Sequence, residues 1–239
     1  MIKMNKDSSV PLYQQLMEVI KNQISSGELK SGDRIPTEAE LSKLYDVSRI
    51  TVRKAVELLE EEEVLIKKQG IGTFVIAKKL KRDSNRFMGY TEHCRMEGSK
   101  PGARLITADL IDASVSYAEQ LKLEEGEKVI RIIRLRTADD EPVMIEENYF
   151  PVRFAYLLGE NLTESLYKIL ENNGTYAASG KNRITICYAD RDEAVHLGVP
   201  EGEALLLWKG LCLDSKGNPL HIYKNKVNPK RYEINMYSN

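Results

Sequence analysis

The stretch from Thr37 to Glu63, TEAELSKLYDVSRITVRKAVELLEEEE, narrows the folds open to this chain more than any other. Thr37 is a strong helix N-cap, and Glu40 three residues later completes a capping box. Ala39, Leu41, Leu44 and Tyr45 then recur at helical spacing. Asp46-Val47 breaks that pattern, and Ser48 caps a second helix whose apolar stripe is Val52, Ala55, Val56 and Leu59. Arg49, Thr51, Arg53 and Lys54 gather at the N-terminal end of this second helix, ahead of the acidic run Glu60 to Glu63. A short helix, a turn, and a helix whose first turns carry Ser, Arg, Thr and Arg is the layout of a DNA-reading helix-turn-helix.

The flanks extend this unit. Pro11 to Ser26 reads as a first helix with Leu12, Leu16, Val19, Ile20 and Ile24 on one stripe and Gly27 as its stop. Leu29 to Pro36 is a turn-rich connector, and Pro36 biases Ile35 away from helix. Val64 to Gln69 reads as a strand, Gly70-Ile71-Gly72 as a turn and Thr73 to Ile76 as the returning strand. A β-hairpin directly after the second helix makes the unit a winged helix. Otherwise the hairpin only closes a small core. Glycines let a backbone approach a groove, and Lys67 and Lys68 suit phosphates.

Charge supports a nucleic-acid partner only locally. The chain as a whole carries a net charge of −1, yet Lys67 to Arg82 holds six basic residues and no acidic one. Phosphate attraction acts within a Debye length of about 8–10 Å, so a local patch counts for more than the whole-chain balance.

Residues 10–76 resemble the DNA-binding domain of the GntR family of bacterial transcription regulators. The resemblance is carried by PLYQQL, SGELKSGDRIPTEAEL, VSRITVRKAV and the wing G-x-G-T-F-V. It implies that Ser48, Arg49, Thr51 and Arg53 contact double-stranded DNA, with Gly70 at the wing tip. Ala39 stands where many relatives carry a DNA-touching Arg. Independently of the family, Arg can donate two hydrogen bonds to guanine in the major groove, and Ser and Thr hydroxyls can hold phosphates.

Lys78 to Arg86, KKLKRDSNR, reads as a linker, dividing a domain at 1–77 from one at 87–239. Residues 83–239 hold 20 basic and 24 acidic residues, which is not a nucleic-acid surface. Strands are expected at Ala103–Ile111, Lys128–Ala138, Pro142–Pro151, Asn182–Tyr188, Ala204–Leu213 and Leu220–Val227. Helices are expected at Ser114–Leu121 and Leu162–Glu171, the latter capped by Asn161. Asp139-Asp140-Glu141 turns the hairpin between the second and third strands. The fold class is therefore α+β, a winged helix followed by a domain on an antiparallel sheet. The second half resembles the UTRA effector domain of HutC-type GntR regulators, whose fold is like that of chorismate lyase, over about 87–236. G-Y-T near 89–91, IIRLRTADDEPVMIEENYFP, ESLYKIL and LDSKGNPLHIYKNKVNPKRYEI carry it. The resemblance implies a homodimer that senses a small metabolite, often a phosphorylated sugar.

Arg134 and Arg136, two apart on a strand, face one side. Counting equally from Asp140 places Glu146 opposite Arg134. Two adjacent guanidinium groups repel unless an anion or a carboxylate compensates them, and Arg suits bidentate phosphate or carboxylate recognition. Ser165 and Tyr167, and Tyr90 and Thr91, can add hydroxyls. In sugar-phosphate-sensing relatives the positions of Thr91, Arg134, Arg136, Ser165 and Tyr167 hold the phosphate and that of Glu146 meets the sugar. His221 and Val227 fall where amino-sugar sensors carry Glu and Tyr, which points away from N-acetylglucosamine-6-phosphate. The alternative is a plain Arg134–Glu146 salt bridge with Arg136 in solvent.

Other classes are disfavoured. No nucleophile–base motif, metal-ligand spacing or Gly-rich phosphate loop is present, so neither an enzyme nor a cofactor is expected. A DNA-binding protein that senses nothing leaves the 150-residue second half without a role. No apolar run nears the roughly 20 residues that span a bilayer, and Cys94, Cys187 and Cys212 are unpaired in spacing, as in a cytoplasmic protein with reduced thiols.

Overall fold

A computed structural model describes residues 4–6, 8–76, 79–83 and 88–235. The chain forms two compact units, one ending at residue 78 and one beginning at 79.

The first unit is built from α1 (Leu12–Ser25), α2 (Glu38–Tyr45), α3 (Arg49–Glu61), β1 (Leu65–Lys68) and β2 (Gly72–Val75). The capping box opens α2: the Glu40 amide donates to Thr37 Oγ1 at 3.3 Å and the Thr37 amide to Glu40 Oε2 at 2.7 Å. Asp46 takes φ +52° at the end of α2, and Ser48 caps α3 by accepting from the Thr51 amide at 3.1 Å. Apolar stripes meet in one core that holds Leu16, Ile20, Leu41, Val52, Ala55, Leu59 and Leu65. The strands pair antiparallel, Leu65 to Val75 and Lys68 to Gly72. The connector before α2 is more ordered than a plain turn: Arg34 bridges Phe74, and the Ile35 amide donates to Thr73 O at 3.0 Å. The winged helix is the fold of this unit.

The second unit carries a six-stranded antiparallel sheet in the order β4-β5-β6-β9-β8-β7. Its strands are β4 (Pro101–Asp112), β5 (Lys128–Ala138), β6 (Glu141–Pro151), β7 (Ala177–Tyr188), β8 (Ala204–Asp214) and β9 (Pro219–Val227). One face is covered by α5 (Val115–Leu121) and α7 (Arg191–Leu197), over Val129, Leu135, Ile145, Leu205 and Ile222. The other face carries two separate apolar clusters. One joins Ile130, Ile132 and Phe150 to a 3-10 segment (Val152–Gly159) and α6 (Leu166–Asn172). Its neighbour joins Met144, Trp208 and Val227 to α4 (Tyr90–Met96), β3 (Leu80–Asp83) and β10 (Tyr232–Asn235). Among the described residues, no helix is long and apolar enough to cross a membrane.

Three expectations need correction. Residues 80–83, expected inside the linker, form β3, which pairs parallel with β10, Leu80 to Tyr232; of the rest of that linker, Lys79 is irregular and 78 and 84–86 lie outside the described residues. A parallel pair needs a long crossover, and here the intervening chain supplies it. Helix α6 starts at Leu166 with Ser165 as its cap, four residues late, because Asn161 Oδ1 accepts from the Thr163 amide at 3.2 Å and its hydroxyl at 2.7 Å and holds a turn instead. The hairpin between β5 and β6 turns on two residues, Asp139 and Asp140, both with positive φ, and Glu141 already belongs to β6.

Candidate functional site

On the first unit, α3 presents Arg49 and Ile50 to solvent, and Ile50 is 80% exposed although apolar. The Ser48 hydroxyl, which caps the helix, lies 2.8 Å from that of Thr51. Arg53 is partly engaged: its Nε and Nη2 donate to Glu38 Oε2 at 3.2 and 3.1 Å. Lys67 of the wing reaches the same carboxylate at 3.7 Å. Glu38, which the motif reading passed over, thus ties α2, α3 and β1 on one exposed surface. Gly70 takes φ +73° at the wing tip, a conformation that favours glycine. Ala39 is half-buried beside this surface.

On the second unit, the gap between the two apolar clusters is a cavity of about 340 Å³. All seven residues singled out in the sequence line it: Tyr90, Thr91, Arg134, Arg136, Glu146, Ser165 and Tyr167. Strand register builds its floor. Arg134 faces Glu146, Glu146 faces Asn225 and Asn225 faces Trp208, one row across four strands. The next row runs Ile132, Asn148, Tyr223, Gly210. Asn148, Trp208, Tyr223 and Asn225 escaped the sequence reading. Their signal is the two-residue alternation onward from Glu146 and along HIYKN, polar at positions that face inward.

The two arginines differ sharply, although each is only 2% exposed. Arg134 is spent. Its Nε (3.0 Å) and Nη2 donate to Glu146 Oε2, and its Nη1 donates to Leu162 O at 3.0 Å and Glu164 O at 2.8 Å. Arg136 is not. Its Nη2 donates to Thr91 Oγ1 at 2.9 Å and its guanidinium lies 4.6 Å from the Tyr90 ring centre. Its Nε and Nη1 are buried and without a partner. Burial pulls its pKa down to about 10, so it stays charged at neutral pH. For Glu146, burial works against ionisation, but Arg134 and Arg136 outweigh it and hold the carboxyl below the usual range.

The hydroxyl groups are placed by local structure. Ser165 Oγ caps α6, accepting from the Lys168 amide at 3.4 Å. The Tyr167 hydroxyl lies 3.3 Å from His221 Nε2, and Gly89 permits its ring to close on the start of α4, since a Cβ there would sit 2.7 Å from Tyr167 Cδ2. His221 stacks on Phe150, and burial pushes its pKa down to about 4, so it is neutral at pH 7. Val227, by contrast, belongs to the apolar cluster rather than the lining. Among the described residues no cluster of three or more His, Cys, Asp or Glu is placed to hold a metal ion.

A winged helix joined to an α+β unit with a cavity lined by cationic side chains defines a class: DNA-binding regulators that carry their own sensor. Comparison with known proteins places the chain within it. Residues 12–75 match the gntR family of bacterial regulatory proteins and residues 96–233 match the UTRA domain. The chain belongs to the GntR family and is a metabolite-responsive transcriptional regulator of the winged-helix plus UTRA type. It is 33% identical to the uncharacterized transcriptional regulator YurK of Bacillus subtilis over 91% of both chains. It is 32% identical to the transcriptional repressor NagR of the same organism over 99% of this chain and 98% of that one. In fold it is similar to PhnF from Mycobacterium smegmatis, with a TM-score of 0.76 at 21% identity, covering 95% of this chain and 98% of that one.

Proposed function

We propose that the protein is a cytoplasmic homodimeric repressor that binds a short palindromic operator and is released by a small anionic metabolite. In this reading residues 1–77 bind DNA, through Ser48, Arg49, Thr51 and Arg53 of the α3 end and Gly70 of the wing. Residues 87–239 pair the subunits and bind the effector, a phosphorylated sugar or another phosphorylated or carboxylated metabolite. No catalysis, cofactor or resident metal enters it. The observation that carries the reading is Arg136: a buried cation with two donor nitrogens unpartnered is costly unless an anion completes it. The Arg134–Glu146 pair satisfies itself, and so the salt-bridge alternative accounts for Arg134 alone. Relatives named as repressors, NagR and a probable fructoselysine operon repressor, support the direction of control. The neutral His221 in the cavity favours an effector other than N-acetylglucosamine-6-phosphate.

The test is fluorescence anisotropy on an operator chosen by in-vitro selection, titrated with pooled sugar phosphates, organic acids and amino acids. One pool is expected to weaken the complex, and Arg136→Met to reduce that response about 10- to 100-fold, the value of one charge-assisted hydrogen bond of about 1.5–3 kcal/mol. An undiminished response in Arg136→Met would remove this cavity from the mechanism.

A further inference from the structure

We infer that the effector carries two anionic groups and that Arg82, on β3, holds the second. The inference rests on the cavity being the effector site. Four charged side chains line it, Arg82, Arg134, Arg136 and Glu146. Arg134 and Glu146 neutralise each other, which leaves two cations. Arg82 is half-buried where Arg136 is buried, but its guanidinium is likewise only partly partnered. Its Nη2 donates to Met88 O at 2.6 Å, its guanidinium lies 4.6 Å from the Trp208 ring centre, and its Nε is buried without a partner. Among the described residues no carboxylate pairs with it.

The two cations are anchored at different strands of the floor. Arg136 springs from β5, and Trp208, beneath Arg82, from β8, which is three strand spacings away, roughly 14 Å between backbones at about 4.8 Å each. Glu146, Asn148, Tyr223 and Asn225 lie between, and Asn148 Nδ2 and Asn225 Oδ1 are also buried and unpartnered. A single phosphate on Arg136 matches the total charge yet leaves Arg82 uncompensated. A chain of hydroxylated carbons with a phosphate at one end and a carboxylate or second phosphate at the other satisfies both ends and the amides between. Arg82 as a mere strut between Trp208 and Met88 is the rival.

Selenate serves as the probe, in crystals of the full chain read by anomalous diffraction. Two selenates are expected in the cavity, one at Arg136 and Thr91, one at Arg82. The Arg82→Met variant, whose side chain keeps the contact with Trp208, is expected to lose the second and keep the first. In solution, Trp208 is the only tryptophan of the chain and reports the same event. Selenate is expected to shift its emission in the wild type but not in Arg82→Met, while raising the Tm of both through Arg136. A single selenate, at Arg136, overturns the two-anion inference and leaves the effector cavity standing. No selenate in the cavity overturns both. The wild-type crystal decides between these even if the variant fails to fold.

Discussion

Arg49 and Arg53 stand on the solvent face of α3, whereas Arg134 and Arg136 are 2% exposed on the floor of a cavity. The exposed pair keeps its hydration and costs the fold little to place; its attraction to phosphate is long-ranged and screened by salt. Placing the buried pair costs desolvation, which must be offset by partners. Arg134 meets that cost within the protein, through Glu146 and two backbone carbonyls. Arg136 meets it only in part, through Thr91 and the Tyr90 ring. The same residue type is thus a surface charge, a structural clamp and a buried cation with unpartnered donors, and burial and partners set which.

This contrast breaks first at Arg134. Arg134→Met strands a buried carboxylate and two carbonyls, so stability of the second unit is expected to fall by about 3–5 kcal/mol, read by urea denaturation followed at Trp208. A loss below about 1 kcal/mol would mean that Arg134 is no clamp. His221 comes next. Its folded pKa of about 4 lies below the unfolded 6.5, so the unfolded state binds the extra proton between those values. Stability is then fully present above pH 6.5 and falls as pH drops toward 4, by on the order of 3 kcal/mol. His221→Phe, which keeps the stack on Phe150, is expected to flatten that slope; an unchanged slope would assign it to other groups. Arg136→Met sharpens the comparison from the other side: it removes a poorly compensated cation, so stability is expected to hold or rise by about 1 kcal/mol while effector response weakens. If Arg136→Met destabilises as much as Arg134→Met, the two are not different in kind.

Effects at the exposed surface are smaller. Arg49→Ala is expected to weaken operator binding by about 1–3 kcal/mol with no change in Tm. The smallest effect belongs to Glu38→Gln. Releasing Arg53 and Lys67 from their shared carboxylate is expected to steepen the salt dependence of DNA binding by about 0.9 per freed cation. An identical slope would place both cations away from phosphate.

Much of this was legible in the residue string. Thr37, Glu40 and Ser48 announce α2 and α3 because capping is decided within four residues. The pairing of Arg134 with Glu146 is also readable, although for a reason that counting conceals. The turn is two residues, which by itself would oppose Arg134 to Ile145, and an extra residue at Val143 restores the register. Helix α7 carries its own capping box, Asp190 with Glu193, and Gly198 as its stop, yet its apolar pattern is too short to declare it. Asn161 misled for a local reason: an Asx turn and an N-cap draw on the same side-chain oxygen.

The amino-acid sequence alone determined the winged helix, the exposed basic end of α3 and the shared face of Arg134 and Arg136. Each depends on caps, turns or strand parity, which act between near neighbours. Only the tertiary structure decided that Glu146 lies in a row with Asn225 and Trp208, that β3 pairs with β10 and carries Arg82 into the cavity, and that Arg134 is satisfied while Arg136 is not. Those outcomes depend on which distant strands become neighbours, and whether a buried donor finds an acceptor is settled only when every surrounding segment is in place.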